Sequence, residues 1–195
     1  MKNKELLQKL QQSGGYIANT HIEMTGLDHS DTYLNKDLLL SDPISLKVIS
    51  EAIVDLINDD TEVVCGPPFG GLMLAEAVAL TGLGTQKKLK MALTEKNNSE
   101  IRLKRGQAKL IKGKGVLIVD DVVKSGQTLG QTITAVKNAG GKLTQIIVLA
   151  NWRGADLMSI GRIMNVVELL PRPSIYQADN CELCVQNITI DLPNN

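Results

Sequence analysis

Val116-Leu-Ile-Val-Asp-Asp-Val-Val-Lys-Ser-Gly-Gln-Thr128 decides the fold. Its unbroken aliphatic start, Val116 to Val119, reads as a strand buried on both faces, as in a parallel sheet covered by helices. The strand runs straight into Asp120 and Asp121. Lys124 to Thr128 then makes a tight turn of small and polar residues into a helical stretch, Gly126 to Asn138. Ligands of open α/β sheets bind beyond the carboxyl ends of the strands. A turn of this kind turns several backbone N–H groups outward, and together with the helix dipole they favour a phosphate. Ser125 and Thr128 add hydroxyl donors, and Gly126 permits a crowded or left-handed backbone. Carboxylates repel phosphate, so the aspartates suit sugar hydroxyls or a magnesium ion. An isolated Asp-Asp would read as a loop cap and Ser-Gly-Gln-Thr as an ordinary helix start. Side by side, they describe a site for a sugar phosphate.

Working outward, strands and helices alternate. Leucines 6, 7 and 10 give Lys4 to Gln12 a helical face that Gly14-Gly15 ends. Tyr16 to Met24 reads as extended, Ser41-Asp42-Pro43 as a helix start, and Glu62 to Cys65 as a short buried strand. Leu72 to Leu80 is a second core helix, Lys88 to Thr94 a strand, Leu143 to Ala150 a buried strand and Val166 to Leu170 a last one. Glu95 to Gly115 is polar, basic and glycine-punctuated. It reads as a long mobile loop with two extended arms, Glu100 to Lys104 and Gln107 to Ile111. The fold class expected is α/β: a mostly parallel sheet flanked by helices on both faces. No linker or repeat divides the chain, so a single domain over 1–195 is expected.

Composition narrows the function classes. Hydrophobic residues are 43% of the chain but aromatics only 3%, so aliphatic side chains must fill the core. No apolar run reaches the ~18 residues of a spanning helix, and the N-terminal stretch lacks a signal-peptide pattern. A cytoplasmic protein without a membrane partner is expected. Lys+Arg and Asp+Glu both number 21, giving a formal net charge of zero, which argues against nucleic acid as the default partner. The odd cysteine count, Cys65, Cys181 and Cys184, argues against a disulfide framework. Cys181-x-x-Cys184 is half of a four-ligand zinc set, and the spacing of His21 and His29 does not suggest the other half. Two reduced thiols in a C-terminal turn is the reading favoured, and no side chain is assigned as a metal ligand.

Gly66-Pro67-Pro68-Phe69-Gly70-Gly71 lies between a strand and a helix, a second backbone cradle at the sheet edge. Beyond it, Arg102, Lys104, Arg105, Lys109, Lys112 and Lys114 crowd one stretch. Such a run is ordinarily a solvated face. Beside two phosphate cradles it gains a purpose: cations closing over a developing anion and excluding water.

Val116 to Thr128 resembles the signature of the type I phosphoribosyltransferases, which bind 5-phosphoribosyl 1-pyrophosphate (PRPP). The resemblance implies that Asp120 and Asp121 hold the ribose hydroxyls, and that Lys124, Ser125, Gly126, Gln127 and Thr128 hold the 5′-phosphate. It implies that Pro67, Pro68, Phe69, Gly70 and Gly71 receive pyrophosphate. Glu95-Lys96 and Leu103-Lys-Arg-Gly106 resemble the mobile loop of the orotate branch, so Lys96 is the catalytic residue implied. His21 to Asp37, with Thr25-Gly26 and Tyr33-Leu-Asn-Lys36, resembles that branch's hood, a small subdomain of roughly residues 14–40 plus the C-terminal segment over a core of roughly 41–170. The likeness implies Tyr33 and Arg153 at the base, Mg2+ as cofactor, orotate as acceptor, and a symmetric homodimer whose mobile loop reaches the neighbouring site. Cys-Glu-Leu-Cys184 resembles a tail found in part of the branch. Lys124 stands where these enzymes usually carry threonine, Trp152 where aspartate usually precedes the arginine, and Met24 where a basic residue usually stands. No Lys-x-His-Gly occurs in the loop. A phosphoribosyltransferase for another nucleobase, or a non-catalytic PRPP-sensing regulator on the same fold, therefore stays open.

Overall fold

The computed structural model describes residues 2–24, 28–104 and 106–191. Helix α1 (Lys2–Gln12) leads into β1 (Tyr16–Glu23), β2 (Asp28–Leu34), α2 (Lys36–Ser41), α3 (Pro43–Val54), β3 (Val63–Cys65) and α4 (Gly70–Gly82). Next come β4 (Lys90–Ala92), β5 (Thr94–Asn97), β6 (Glu100–Leu103), α5 (Gln107–Ile111), β7 (Gly115–Val123) and α6 (Gln127–Asn138). Then follow β8 (Lys142–Asn151), α7 (Leu157–Gly161), β9 (Val166–Glu168), β10 (Ile175–Gln177), a 3-10 turn (Ala178–Asn180) and α8 (Glu182–Val185).

The main sheet is five-stranded, in the order β4-β3-β7-β8-β9, with every pairing parallel. Alternation along β7 divides its side chains between two cores. Leu117 and Val119 join Val64, Ile147 and Leu149 beneath α1, α3 and α4. Val116 and Ile118 join Val63, Ile146 and Val148 beneath α6 and α7. Burial on both faces is why these strands are aliphatic throughout.

Local chemistry sets the helix boundaries. Asp42 caps α3, its carboxylate accepting from Ile44 N at 3.3 Å and Ser45 N at 2.9 Å, with Pro43 in the first turn. Leu6 and Leu10 of α1 are 3% and 0% exposed, and each contributes about 1.5–3 kcal/mol on burial. A second sheet, β1-β2-β10, is antiparallel and joins the N-terminal strands to the C-terminal segment. Among the described residues, no helix is long and apolar enough to cross a membrane.

Several local expectations are corrected. Gln107–Ile111 is helix α5, not an extended arm. Gly106, at φ 80°, starts it, and Ile111 is fully buried in the core beneath α6, so tertiary burial overrides the local polarity. The strand expected over Lys88 to Thr94 shortens to Lys90–Ala92, and Thr94 begins an antiparallel hairpin of β5 and β6. Strand β7 continues through Val123, so Asp120 and Asp121 lie within it rather than beyond it. Helices α2, α7 and α8 and strand β10 are too short to leave a periodic pattern. Thr25-Gly26 and Arg105 lie outside the described residues.

Candidate active site

The pleat of β7 points Asp120 and Asp121 to opposite faces of the sheet edge. Asp120 follows the parity of Val116 and Ile118, toward α6, and lines a cavity of about 630 Å³. Asp121 follows Leu117 and Val119, toward α4, where a Cβ on Gly70 would collide with its carboxylate. The two side chains start from opposite faces, but their carboxylates lean toward each other over the edge and interact directly.

Each helix start is shaped to admit an anion. Lys124, Ser125, Gly126, Gln127 and Thr128 all line the cavity. Gly126 has φ 77°, and a Cβ there would strike Ile160, so only glycine fits this turn. The N-cap Gly126 has no side chain to cap α6, and a long contact of 3.4 Å from Gln127 N to Ser125 Oγ is the side-chain contact at its leading amides. Pro67 to Gly71 form the turn into α4, which also has no side-chain cap. Added Cβ atoms on Gly66 or Gly71 would meet Val119 O at 2.7 and 2.9 Å, so the loop must sit hard against β7. The Pro68–Phe69 peptide is cis, and Phe69 projects with 85% exposure.

Asp120 and Asp121 are only 6% and 8% exposed as residues. Asp120 accepts from Asp121 N at 3.0 Å, and Asp121 from Val122 N at 2.7 Å. Burial, then the Asp121 charge beside it, pushes the Asp120 carboxyl well above the ordinary carboxylate range. Ligand hydroxyls or a cation would satisfy such a group. Lys36, at the start of α2, lies 3.3 Å from Asp121 Oδ2 and 2.9 Å from Asp37. Its ammonium is held above its usual range, chiefly by the Asp37 hydrogen bond, against partial burial and with help from Asp121.

The hood sheet roofs the cavity through Ile22, Glu23, Met24, Thr32 and Tyr33. Trp152 closes another wall, its indole N–H donating to Met24 Sδ at 3.1 Å. Tyr33 therefore sits where a flat ligand would meet it. Arg153 is not brought in: it pairs with Asp28, at the start of β2, and is absent from the cavity lining. Lys96 is exposed on β5, opposite Ile101 of β6 and outside the cavity. Its hairpin rests on α6, where Gln131 Nε2 donates to Ser99 O at 2.9 Å. Lys36 and Trp152 belong to the site although the sequence reading assigned them no role. The signal for Lys36 was its place in Tyr33-Leu-Asn-Lys36, the stretch that resembles the hood.

The phosphoribosyl transferase domain model matches residues 36–173. An orotate phosphoribosyltransferase from Desulforamulus reducens is 27% identical over 196 residues, covering 100% of this chain and 98% of that relative. The Mycobacterium tuberculosis H37Rv orotate phosphoribosyltransferase in complex with PRPP superposes with TM-score 0.64 at 15% identity, covering 87% of this chain and 96% of that one. Adenine phosphoribosyltransferase from Thermoanaerobacter pseudethanolicus gives TM-score 0.60 at 15% identity, over 83% of this chain and 97% of that one. At such identities the superpositions speak for the fold, a parallel sheet flanked by helices, and not for the base. With a family match over most of the chain and a buried acidic edge between two uncapped helix starts, the protein belongs to the phosphoribosyl transferase domain family.

Proposed function

We propose that the chain transfers the 5-phosphoribosyl group of PRPP to orotate, giving orotidine 5′-monophosphate and pyrophosphate, a step of pyrimidine nucleotide biosynthesis. The observation that carries this reading is the cavity itself: Asp120, the Lys124–Thr128 turn, Lys36 and Tyr33 line one space. Full-length similarity to relatives named orotate phosphoribosyltransferase supports the choice of base.

In this reading the 5′-phosphate sits on the amides of Ser125 to Thr128 and the pyrophosphate on those of Phe69, Gly70 and Gly71, in the loop that Pro67 and Pro68 shape. Asp120 and Asp121 accept from the ribose 2′- and 3′-hydroxyls, which adds donors to the Asp121 N–H that the buried Asp120 already accepts. The acidic edge also fits Mg2+, a hard cation held by a carboxylate or two plus substrate oxygens. Asp120 and Asp121 are the residues that would hold it, and it would supply charge neutralisation for the departing pyrophosphate. Tyr33 stacks on the flat base, and Lys36 or Lys124 meets the orotate carboxylate. The C1′–O bond breaks with its electrons leaving on pyrophosphate, and the base nitrogen then bonds to C1′. Orotate is already anionic, so no side chain is needed as general base. The cavity lysines and Lys96 stabilise the departing charge. For Lys96 the hairpin must close over the cavity, or act in the neighbouring site of a homodimer.

One observation favours a second reading. Arg153, the residue implied for orotate, pairs with Asp28, while Trp152 occupies the wall. That arrangement suits a different nucleobase. A panel of orotate, uracil, adenine and hypoxanthine with PRPP and Mg2+ separates the two. Loss of orotate absorbance, with orotate giving the highest kcat/KM, is the expected result. Turnover confined to another base would keep the family and replace the acceptor. PRPP binding without turnover of any base would point to a regulator.

A further inference from the structure

Away from the cavity, the two ends of the chain bring four metal-ligating side chains together. They are His21 on β1, His29 on β2, Cys181 after the 3-10 turn and Cys184 on α8, and their ligand atoms all lie within 4.8 Å of one another. His21 Nε2 is 2.9 Å from His29 Nδ1, 3.5 Å from Cys181 Sγ and 3.7 Å from Cys184 Sγ, and Cys184 Sγ is 3.3 Å from His29 Nδ1. Around tetrahedral zinc, with its usual bond lengths, neighbouring nitrogen and sulfur ligands stand roughly 3.3–3.8 Å apart. These four separations lie within a few tenths of an ångström of that range, and the most widely spaced ligand atoms, up to 4.8 Å apart, would close by about 1 Å around the ion.

Hydrogen bonding alone leaves this cluster poorly satisfied. His21 Nδ1 faces Ile188 O at 2.7 Å, a contact that requires the ring to donate from Nδ1. In the neutral ring Nε2 then carries a single lone pair, yet three polar atoms converge on it. One cation shared by two imidazoles and two thiolates resolves the crowding. A ligating histidine whose other nitrogen donates to a backbone carbonyl is also the usual support for a bound metal.

The backbone is arranged to create this meeting. The β1–β2 register slips between Ala18 and Ile22, and Thr20, His21 and Ile22 are buried in succession where a regular strand would alternate. The C-terminal segment follows the bulge: Asp191 N donates to His21 O at 2.6 Å, and Thr20 Oγ1 donates to the Asp191 carboxylate. His21, His29 and Cys181 are buried, and Cys184 is exposed, giving a metal a route in.

We propose that His21, His29, Cys181 and Cys184 form a structural zinc site that fastens the C-terminal segment to the hood. Four protein ligands close the coordination sphere, which is the pattern of structural rather than catalytic zinc. The donor set, two thiolates and two imidazoles, selects zinc over magnesium. The strands it ties also carry Glu23 and Tyr33 of the cavity roof, so the metal stiffens the wall against which a base is held. The site stands on its own geometry and is independent of the reaction assigned to the cavity.

The test uses the full chain without substrates, so its outcome does not depend on turnover. Protein expressed with zinc and purified without chelators is analysed for metal, beside Cys181→Ser/Cys184→Ser and Cys65→Ala. The expected result is about one zinc per chain in the native sequence and in Cys65→Ala, and almost none in the double variant. A second measurement covers a double variant that fails to fold. The native chain, stripped and reduced, is titrated with cobalt(II), which should give intense tetrahedral ligand-field bands and a thiolate charge-transfer band saturating at about one equivalent. A metal-free native chain whose cobalt spectrum stays that of the hydrated ion overturns the proposal, and the cluster is then only a hydrogen-bonded knot.

Discussion

The acidic sheet edge and the histidine–cysteine cluster are both buried polar sites, but they are assembled in opposite ways. Asp120, Asp121 and the Lys124–Thr128 turn are contiguous, so one strand and one helix start position them. The cluster draws on residues separated by up to 163 positions and needs a bulge, an antiparallel sheet and a tail to bring them together. The edge opens onto a cavity, where the proposed ligand would come and go, and its Asp120 carboxyl is pushed up by burial. The cluster turns its groups inward on each other.

That contrast predicts which property each substitution moves. The largest effect is expected at Lys96. Lys96→Ala should lower kcat by roughly 10²–10³-fold, the scale of losing one transition-state charge partner. Its Tm should not change, because the side chain is exposed. Steady-state kinetics beside a thermal melt check this, and an unaltered kcat would remove Lys96 from the reaction.

Cys181→Ser/Cys184→Ser should do the reverse. Zinc at a hundredfold excess over its Kd stabilises by about 2.7 kcal/mol, so its loss should lower Tm by roughly 5–10 °C for a chain of 195 residues. The change in kcat should stay within a few fold, with any kinetic loss falling on KM for the base. Calorimetric melts with and without a chelator measure it. A variant that melts with the native chain would erase the distinction.

The smallest effect is in stability at Asp120. Its folded pKa is raised, so the native state prefers the protonated acid. The ionised form therefore destabilises the fold, beginning as pH rises through the unfolded pKa of about 3.9 and becoming complete above the folded pKa. Asp120→Asn should accordingly melt higher than the native chain at pH 7–8, and the gain should vanish near pH 4. Paired pH–Tm series test the sign. A variant less stable at neutral pH would mean that Lys36 and the neighbouring amides more than offset the burial. By contrast, the Cys65 thiol, which burial pushes up to about 12, should stay unreactive toward thiol reagents in the folded chain.

The same contrast explains what the sequence disclosed. The two-sided aliphatic run at Val116–Val119 and the glycine at Gly126 are local requirements, so the parallel sheet and the tight turn into α6 were legible from adjacent residues. Asp42 with Pro43 marked a helix start for the same reason. Helix α5 was misread because Ile111 is held by distant residues of the core under α6. The place of Arg153 was hidden because Asp28, far along the chain, captures it. Lys36 and Trp152 enter the cavity only through the packing of hood on core. His21 and His29 carried no readable spacing, since the bulge and the returning tail that unite them with Cys181 and Cys184 are tertiary features.

The central claim is that the β7 edge with its turn is where PRPP binds. Titrating PRPP with Mg2+ into the native chain and into Asp120→Asn/Asp121→Asn, both shown folded by circular dichroism, tests it most directly. The account predicts saturable binding to the native chain, weakened by roughly 100-fold or more in the variant as buried ribose hydrogen bonds to charged groups are lost, each worth about 1.5–3 kcal/mol. Equal affinity in the two proteins would contradict it and move the PRPP site elsewhere on the molecule.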